Sequence, residues 1–243
     1  SLLVSTTALA DVPSSNPDAS SSIKTNRVVA RAESSVQLNP SVVRIGGGAS
    51  YRHGDRHYVE AGAGLAASNY YVAPGVHAEV KPLDSLTLRL DYALLAYAGH
   101  DEGGATHKVS LGDRFEHRFG PVVLRSGVNA SYLHSSGQSG PTYYLPDQDT
   151  RVKSNDVLIT SRFGVMFAVW ENGKVSDGAA QLLVGPSLQS QWALRSGLSR
   201  QRVAASTALA IGKASAGLDV GVNASDATRQ GEAFGQLVFG MEF

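Results

Sequence analysis

The sequence predicts an all-β protein that forms one antiparallel barrel of about twelve strands. Apolar and polar residues alternate with a period of two in segment after segment, the pattern of strands whose two faces meet different environments. Glycine, proline, asparagine and aspartate separate these segments, as expected for turns. No part of the 243-residue chain approaches the roughly 18 consecutive apolar residues that a membrane-spanning helix requires. These observations favour strands over helices throughout.

The composition excludes several classes of function. The chain carries 21 basic and 21 acidic residues, a balance that argues against a nucleic-acid-binding surface. It has no cysteine, which excludes disulfides and thiol chemistry. The seven histidines are scattered without the spacing and partners of metal ligands, so we expect no metal site. No cofactor is expected either.

The chain before the first predicted strand has two parts. Residues 1–10 look like the remnant of a secretory signal peptide, because they end in Ala8-Leu9-Ala10, a small-x-small cleavage pattern. Residues 11–25 are rich in serine, proline and aspartate and are predicted to be disordered. The barrel is predicted to occupy residues 26–243.

Each predicted strand has a length close to what a tilted membrane strand requires. The strands cover 26–37, 41–52, 57–67, 75–82, 85–97, 106–119, 121–134, 156–170, 179–193, 202–212, 215–224 and 233–243. The first is the least regular, because only Val28 and small alanines oppose Arg27 and Arg31. An even strand count, which bacterial barrels share, favours its inclusion.

The alternation is clearest in the fifth predicted strand. Leu88 and Leu90 fall on one face, whereas Arg89 and Asp91 fall on the other. One face of such a strand suits lipid and the other suits a polar interior.

The connections between predicted strands alternate between short and long. The short set is 53–56, 82–84, 119–121, 171–176 and 212–214. The long set is 68–75, 99–105, 135–155, 195–201 and 225–232. The first hairpin, near Asn39-Pro40, is the exception. Transmembrane barrels have short periplasmic turns and longer outer loops, so this pattern predicts a transmembrane barrel with both termini in the periplasm.

The last predicted strand reads A-F-G-Q-L-V-F-G-M-E-F, with Leu237, Phe239, Met241 and Phe243 on one face. This ending resembles the C-terminal strand of Gram-negative outer-membrane β-barrel proteins, in which the assembly machinery recognises a terminal aromatic residue. The resemblance implies a location in the outer membrane and contact with its lipid and lipopolysaccharide. It also implies the barrel-assembly machinery as a partner and Phe239, Met241 and Phe243 as the assembly signal.

The inner faces of the predicted strands collect most of the charge. The residues expected to line the lumen are Arg31, Arg44, Arg89, Arg114, Arg118, Arg125, Arg162, Arg202, Glu60, Glu79, Asp91 and Glu116. Two interpretations compete: the charges pair and plug the barrel, or excess arginines line a water-filled pore that selects anions. Asp113 falls on the lipid side and is expected at the membrane edge or at a bulge.

The size and the arginine-lined interior resemble those of small monomeric porins for acidic oligosaccharides. The resemblance concerns architecture alone, and it implies passage of small anionic solutes or saccharides. We therefore expect an outer-membrane channel for small hydrophilic, anionic solutes. Alternatives are a plugged barrel whose outer loops bind a partner and an exporter of polysaccharide.

His134 and Ser136 form a possible catalytic pair, since they share the lipid side of one strand at its outer end. The arrangement resembles outer-membrane phospholipase A and the lipid A deacylases, in which a histidine activates a serine hydroxyl. Those families carry asparagine after the serine, whereas Gly137 follows here. No matching asparagine or glutamate stands out downstream, although Asp147, Asp149 and Asn155 lie in the following loop, so an enzyme is not expected.

The longest predicted loop contains Tyr143 and Tyr144. These tyrosines are candidates for contact with sugar rings or for a constriction of the pore. The alternative is that they belong to the aromatic girdle at the membrane interface.

Overall fold

The computed structural model describes residues 26–38, 41–97, 105–136, 142–145, 150–153, 155–172, 180–225 and 231–243. Twelve antiparallel strands close into a barrel in which each strand pairs with the barrel strands before and after it, and the first pairs with the last. The barrel strands are β1 (Asn26–Leu38), β2 (Val42–His53), β3 (Tyr58–Ser68), β4 (Tyr71–Leu83), β5 (Leu86–Tyr97), β6 (Ala105–Phe119), β7 (Val122–Ser136), β10 (Asn155–Asn172), β11 (Ala180–Ala193), β12 (Leu198–Ile211), β13 (Ala214–Ser225) and β14 (Glu232–Glu242). The predicted all-β class and antiparallel barrel are confirmed.

The connection between β7 and β10 contains a separate hairpin. Strands β8 (Thr142–Leu145) and β9 (Thr150–Lys153) pair with each other and not with the barrel. Sequence patterns had predicted this segment as loop. Within the described ranges, no helix is long and apolar enough to cross a membrane.

The outer surface of the barrel is apolar. Large side chains such as Val28, Ile45 and Leu111 point outward and are between 61% and 70% exposed. Polar side chains such as Glu60 and Asp91 alternate with them and are buried on the inner face. An apolar surface of this extent would be unfavourable in water, so the alternation suits a barrel that is surrounded by lipid.

The seam between β1 and β14 closes the barrel. Their register runs from Arg31 opposite Glu242 to Leu38 opposite Gly235. The backbone of Phe243 continues the pairing, since its N–H donates to the carbonyl of Ala30 at 2.8 Å. The terminal residue therefore contributes main-chain hydrogen bonds to closure, while its side chain lies exposed on the outer face.

The predicted strand positions agree with the structure to within about two residues, except for two early starts. β4 begins at Tyr71 and not at residue 75, and β12 begins at Leu198 and not at residue 202. Pro74 of β4 lies in the predicted loop 68–75. It is accommodated because it points outward and the β4–β5 register pairs are interrupted between Val72 and Gly75, where its missing N–H is tolerated.

The predicted alternation of short and long connections is wrong in part. We call the end that holds Asn26 and Phe243 the turn end, and the opposite end the loop end. The loop end carries the connections 98–104, 137–154 and 226–231, but it also carries the tight connections 69–70 and 194–197. Connection length therefore does not orient the barrel strictly, and the periplasmic location of the turn end stays a prediction.

Candidate functional site in the barrel lumen

The interior of the barrel contains a cavity of about 200 Å³. Its lining comes from strands β4 to β7 and β10 to β14, so the cavity lies on the concave side of the sheet. The lining includes these charged residues that were predicted for the lumen: Glu79, Arg89, Asp91, Arg114, Glu116, Arg125, Arg162 and Arg202. The remaining predicted residues, Arg31, Arg44, Glu60 and Arg118, lie on the inner face outside this lining. Their role in conduction stays a prediction.

One side of the lumen is a network of paired charges centred on Glu60, whose side chain is fully buried. Its carboxylate accepts hydrogen bonds from Arg52 Nε at 2.6 Å, from Ser50 Oγ at 2.6 Å and from the guanidinium of Arg31. The same Arg31 lies 3.3 Å from Glu242 on β14. These contacts link β14, β1, β2 and β3 across the barrel seam.

The network continues on β4 and β5. Arg89 lies between two carboxylates, with 3.3 Å from its Nη1 to Glu79 and 2.9 Å from its Nε to Asp91. Tyr58 donates its hydroxyl to Glu79 at 2.5 Å. We call Glu60, Glu79, Asp91 and Glu242, with the arginines that contact them, the carboxylate wall. Here the charges are paired, as buried charges must be.

Two further ion pairs lie closer to the turn end. Arg125 Nε is 2.7 Å from Glu116, and Arg118 Nη2 is 2.5 Å from Glu171. The first pair joins β6 to β7, and the second joins β6 to β10. Each of these two arginines is therefore neutralised by direct contact with a carboxylate.

The opposite side of the lumen carries arginines with different partners. Arg162 donates from Nε and Nη2 to Gln189 Oε1 at 3.0 and 2.8 Å. Arg202 donates to Asn223 Oδ1 at 2.7 Å, and its guanidinium lies 4.3 Å above the ring of Phe234. Among the described residues, these two arginines therefore hydrogen-bond to neutral amides and not to carboxylates.

Further positive charge surrounds Arg202. The guanidinium groups of Arg44, Arg162 and Arg200 all lie within electrostatic range of it, as does the carboxylate of Asp219. We call Arg44, Arg162, Arg200 and Arg202 the arginine wall. The carboxylate wall is thus held by ion pairs, whereas Arg162 and Arg202 in the arginine wall hydrogen-bond to neutral amides.

The division follows from the order of the strands. The carboxylates of the carboxylate wall lie on β14, β3, β4 and β5, on both sides of the seam, while Glu116 lies on β6 and Asp219 on β13. The arginine wall comes from β10 and β12, with Arg44 from β2. The sequence showed both sets facing inward, but their grouping depends on which strands become neighbours when the barrel closes.

Asn129 is a lining residue that the sequence did not single out. It lies on the inner face of β7 and is 5% exposed. Its Oδ1 atom is buried and has no hydrogen-bond partner among the described residues. Its place in the alternation predicts an inward side chain, but nothing in the sequence signals the missing partner.

No protein-family model and no curated protein sequence matches this chain. Its fold is similar to that of solved structures. A bacterial polysaccharide outer membrane secretin has a TM-score of 0.52 at 9% identity, with 89% of this chain and 98% of that chain covered. The β-domain of the Bordetella autotransporter BrkA has a TM-score of 0.44 at 14% identity, with 89% and 98% covered.

A NanC porin structure has a TM-score of 0.47 at 8% identity, covering 88% of this chain and 98% of that chain. The chain has the fold of an outer-membrane β-barrel. At such identities the likeness establishes the fold of the outer-membrane barrel and not its activity. The outer-membrane barrel fold and the apolar outer surface support the predicted location in the outer membrane.

The outer-membrane barrel also has a polar cluster on its lipid-facing surface at the loop end. His134 on β7 and Asn155 on β10 are register partners, and 2.5 Å separates His134 Nδ1 from Asn155 Oδ1. Tyr132 donates its hydroxyl to the same Oδ1 at 3.3 Å. Asn155, one of the residues noted after Ser136, therefore lies beside His134, because barrel pairing brings it back across the long connection.

A second histidine adjoins this cluster. The ring of His107 on β6 lies 6.1 Å from that of His134, measured between centroids, and its Nδ1 is 2.9 Å from the hydroxyl of Tyr92. Ser136 is the last residue of β7, and its side chain lies outside the part that the structure describes. The same holds for the side chains of Tyr143 and Tyr144, so both predicted roles for them stay open.

Asp113 lies on the lipid-facing side of the outer-membrane barrel, as its place in the alternation predicts. Its carboxylate accepts the backbone N–H of Val128 at 3.1 Å. The β6–β7 register is the same on both sides of this position, so the suggested bulge is absent there. The hydrogen bond supplies a local partner for a charge in an unfavourable position.

The predicted assembly signal lies on the outer face of β14. Phe239, Met241 and Phe243 are 46% to 60% exposed there and so would contact lipid. Recognition by assembly machinery stays a prediction.

Proposed function

We propose that this outer-membrane barrel passes small hydrophilic anions through its lumen. The observation that carries the proposal is the pairing of Arg162 and Arg202 with neutral amides beside the cavity. Charges that no direct carboxylate contact cancels create a positive potential, which concentrates anions and repels cations. The low-dielectric wall of the barrel strengthens this potential.

The carboxylate wall has a different role in this proposal. Its arginines are held by direct contacts with Glu60, Glu79 and Asp91, so they shape the lumen and add little to its net potential. If this network blocked the lumen completely, the barrel would be the plugged form that the sequence left as an alternative.

Planar-bilayer recording of the purified protein tests the proposal. We expect a steady current and, under a KCl gradient, a reversal potential of the sign produced by anion preference. R162Q and R202Q should both reduce this preference, because each removes a charge beside the cavity. R56Q is the matched control, since Arg56 lies in a turn outside the barrel wall. Absence of current at every voltage would reject passage and favour the plugged barrel.

A second candidate function is hydrolysis of membrane lipid, and the contact between His134 and Asn155 favours it. If Nδ1–H of His134 donates to the asparagine oxygen, Nε2 keeps its lone pair and can act as a general base. Ser136, two residues further on the same strand, is the nucleophile in this proposal. The lipid-facing position suits an ester of a membrane lipid as the substrate.

Release of fatty acid from phospholipid and from lipid A tests the second candidate. S136A and N155A should each lower the rate, with the larger loss for the nucleophile. S135A is the control, because the hydroxyl of Ser135 forms a hydrogen bond with Thr106 and not with the histidine cluster. No hydrolysis by the wild-type barrel, or full activity of S136A, would end this candidate.

A further inference from the structure

We propose that the lumen cavity is a saturable binding site for one small hydroxylated monocarboxylate, of the hydroxy-acid or sugar-acid type. The inference rests on the proposed anion passage and adds to it a defined site where the solute pauses. It follows from four properties of the cavity: its positive side, an acceptor without a partner, its acidic side and its size.

The positive side is suited to a carboxylate. An arginine has five N–H donors in a planar arrangement that matches the two oxygens of a carboxylate. Arg202 uses Nε for Asn223, and Arg162 uses Nε and Nη2 for Gln189. Both line the cavity, and each keeps donors for a carboxylate.

Asn129 adds a requirement for a hydrogen-bond donor. Its Oδ1 is buried without a partner among the described residues, and the side chain lines the same cavity. A buried acceptor without a donor is unfavourable, so a solute that offers one gains affinity there. A hydroxyl group is such a donor. An aliphatic carboxylate has no hydroxyl group. It would bind the arginines but leave Asn129 Oδ1 without a hydrogen-bond donor.

The acidic side limits the charge of the solute. Asp91 and Glu116 line the cavity as well, each in contact with an arginine. Asp219 also lines it and lies within electrostatic range of Arg162 and Arg202. A solute with several negative charges would approach these carboxylates and be repelled, whereas a monoanion can direct its single charge at Arg162 and Arg202. The site therefore favours a monocarboxylate over a polyanion.

The size of the cavity suits a small solute. Its volume of about 200 Å³ has room for one six-carbon molecule. Hydroxyls of Thr87, Ser187 and Ser206 on the lining can exchange hydrogen bonds with the remaining hydroxyls of the solute.

Calorimetric titration of the full chain in detergent tests the site with three probes. Gluconate carries both a carboxylate and hydroxyls, sorbitol carries hydroxyls alone, and propionate carries a carboxylate alone. We expect gluconate to bind at one site per barrel, with at least tenfold weaker binding of the other two. Equal affinity for gluconate and propionate would overturn the proposal, and so would the absence of saturable gluconate binding.

Variants separate the two ends of the site. N129L should weaken gluconate binding about tenfold and leave propionate binding unchanged, because it removes the acceptor and keeps the size. R162Q should weaken both, and R56Q should weaken neither. Retained gluconate affinity in N129L would contradict the role of Asn129. A folded barrel changes its electrophoretic mobility on heating, so the absence of this change identifies variants that have not folded. The titration of the wild-type barrel with the three probes does not depend on the variants.

The titration also separates this inference from the proposed passage. Ion current without gluconate binding would leave passage standing and reject the site. Gluconate binding without ion current would support the site and reject passage.

Discussion

Glu60 has more direct partners than its neighbours in the carboxylate wall, since arginines and a serine donate to it from β1 and β2. Glu60→Gln would leave Arg31 and Arg52 facing a neutral amide inside the barrel. Removing one partner of a buried ion pair costs about 3–5 kcal/mol. We expect a loss of this order in the free energy of unfolding, measured by denaturant titration in lipid. Asp84→Asn, at an exposed turn, is the control and should change stability by about 1 kcal/mol at most.

Asp84 also gives a pH prediction. A hydrogen bond from Arg56, aided by the attraction of its charge, lowers the pKa of Asp84 below its ordinary value of 3.8. A lowered pKa in the folded state means that the pair stabilises the fold above pH 3.8, and that this contribution is lost as the pH falls through the folded-state pKa. Both side chains are at least half exposed, so the contribution is small.

Arg56→Gln should return the pKa of Asp84 toward 3.8, because it removes the donor and the charge together. Titration of the Asp84 carboxyl by NMR in the wild-type and variant barrels measures the change. An unchanged pKa would mean that Arg56 does not hold this carboxylate in solution.

The site could be predicted at the level of single residues only in part. The period of two assigned Arg162 and Arg202 to the inner face, because alternation fixes the face of each side chain in a strand. It could not supply the amide partner of Arg202, which lies on another strand. Asn155 could be noted only as a residue of the following loop, because residues 135–154 separate it from His134 and only the register of β7 and β10 brings the two together.

At the scale of elements, β13 packs closely against β12 at Gly221. A Cβ atom there would overlap the backbone oxygen of Val203 and lie 2.7 Å from Ala204 Cα. Gly221→Ala should therefore destabilise the barrel by about 1–3 kcal/mol through overpacking, measured as a shift of the unfolding midpoint. Gly235→Ala on β14 is the matched control, because its Cβ would meet no atom within 4 Å. Equal stability of the two variants would contradict this account of the β12–β13 contact.

Strand positions were predictable because each barrel strand has its own alternation and its own turn residues. The misjudged start of β4 shows where local signals fail. Pro74 reads as a turn residue, yet the structure accommodates it by interrupting the register pairs beside it. The hairpin of β8 and β9 was missed because its short strands show no alternation long enough to recognise.

At the scale of the whole molecule, the arginine wall should make anion preference depend on salt. The Debye length falls from about 30 Å at 0.01 M to about 3 Å at 1 M, so high salt screens the potential inside the lumen. At a fixed ratio of KCl concentrations across the bilayer, we expect the reversal potential to move toward the value for equal anion and cation permeability as the absolute concentration rises. A preference that stays constant up to 1 M would point to size or direct binding as its source.

Closure through the β1–β14 seam limits how the number of strands in a barrel of this kind can change. The two strands are antiparallel, and Ala30 and Phe243 exchange main-chain hydrogen bonds at the turn end. Loss or gain of one strand would reverse the direction of the last strand, so that the first and last strands would have to pair as a parallel ladder, which is slightly less stable than the antiparallel one. Loss or gain of a whole hairpin keeps the direction and allows closure. Insertions and deletions in relatives of this chain should therefore come in pairs of strands.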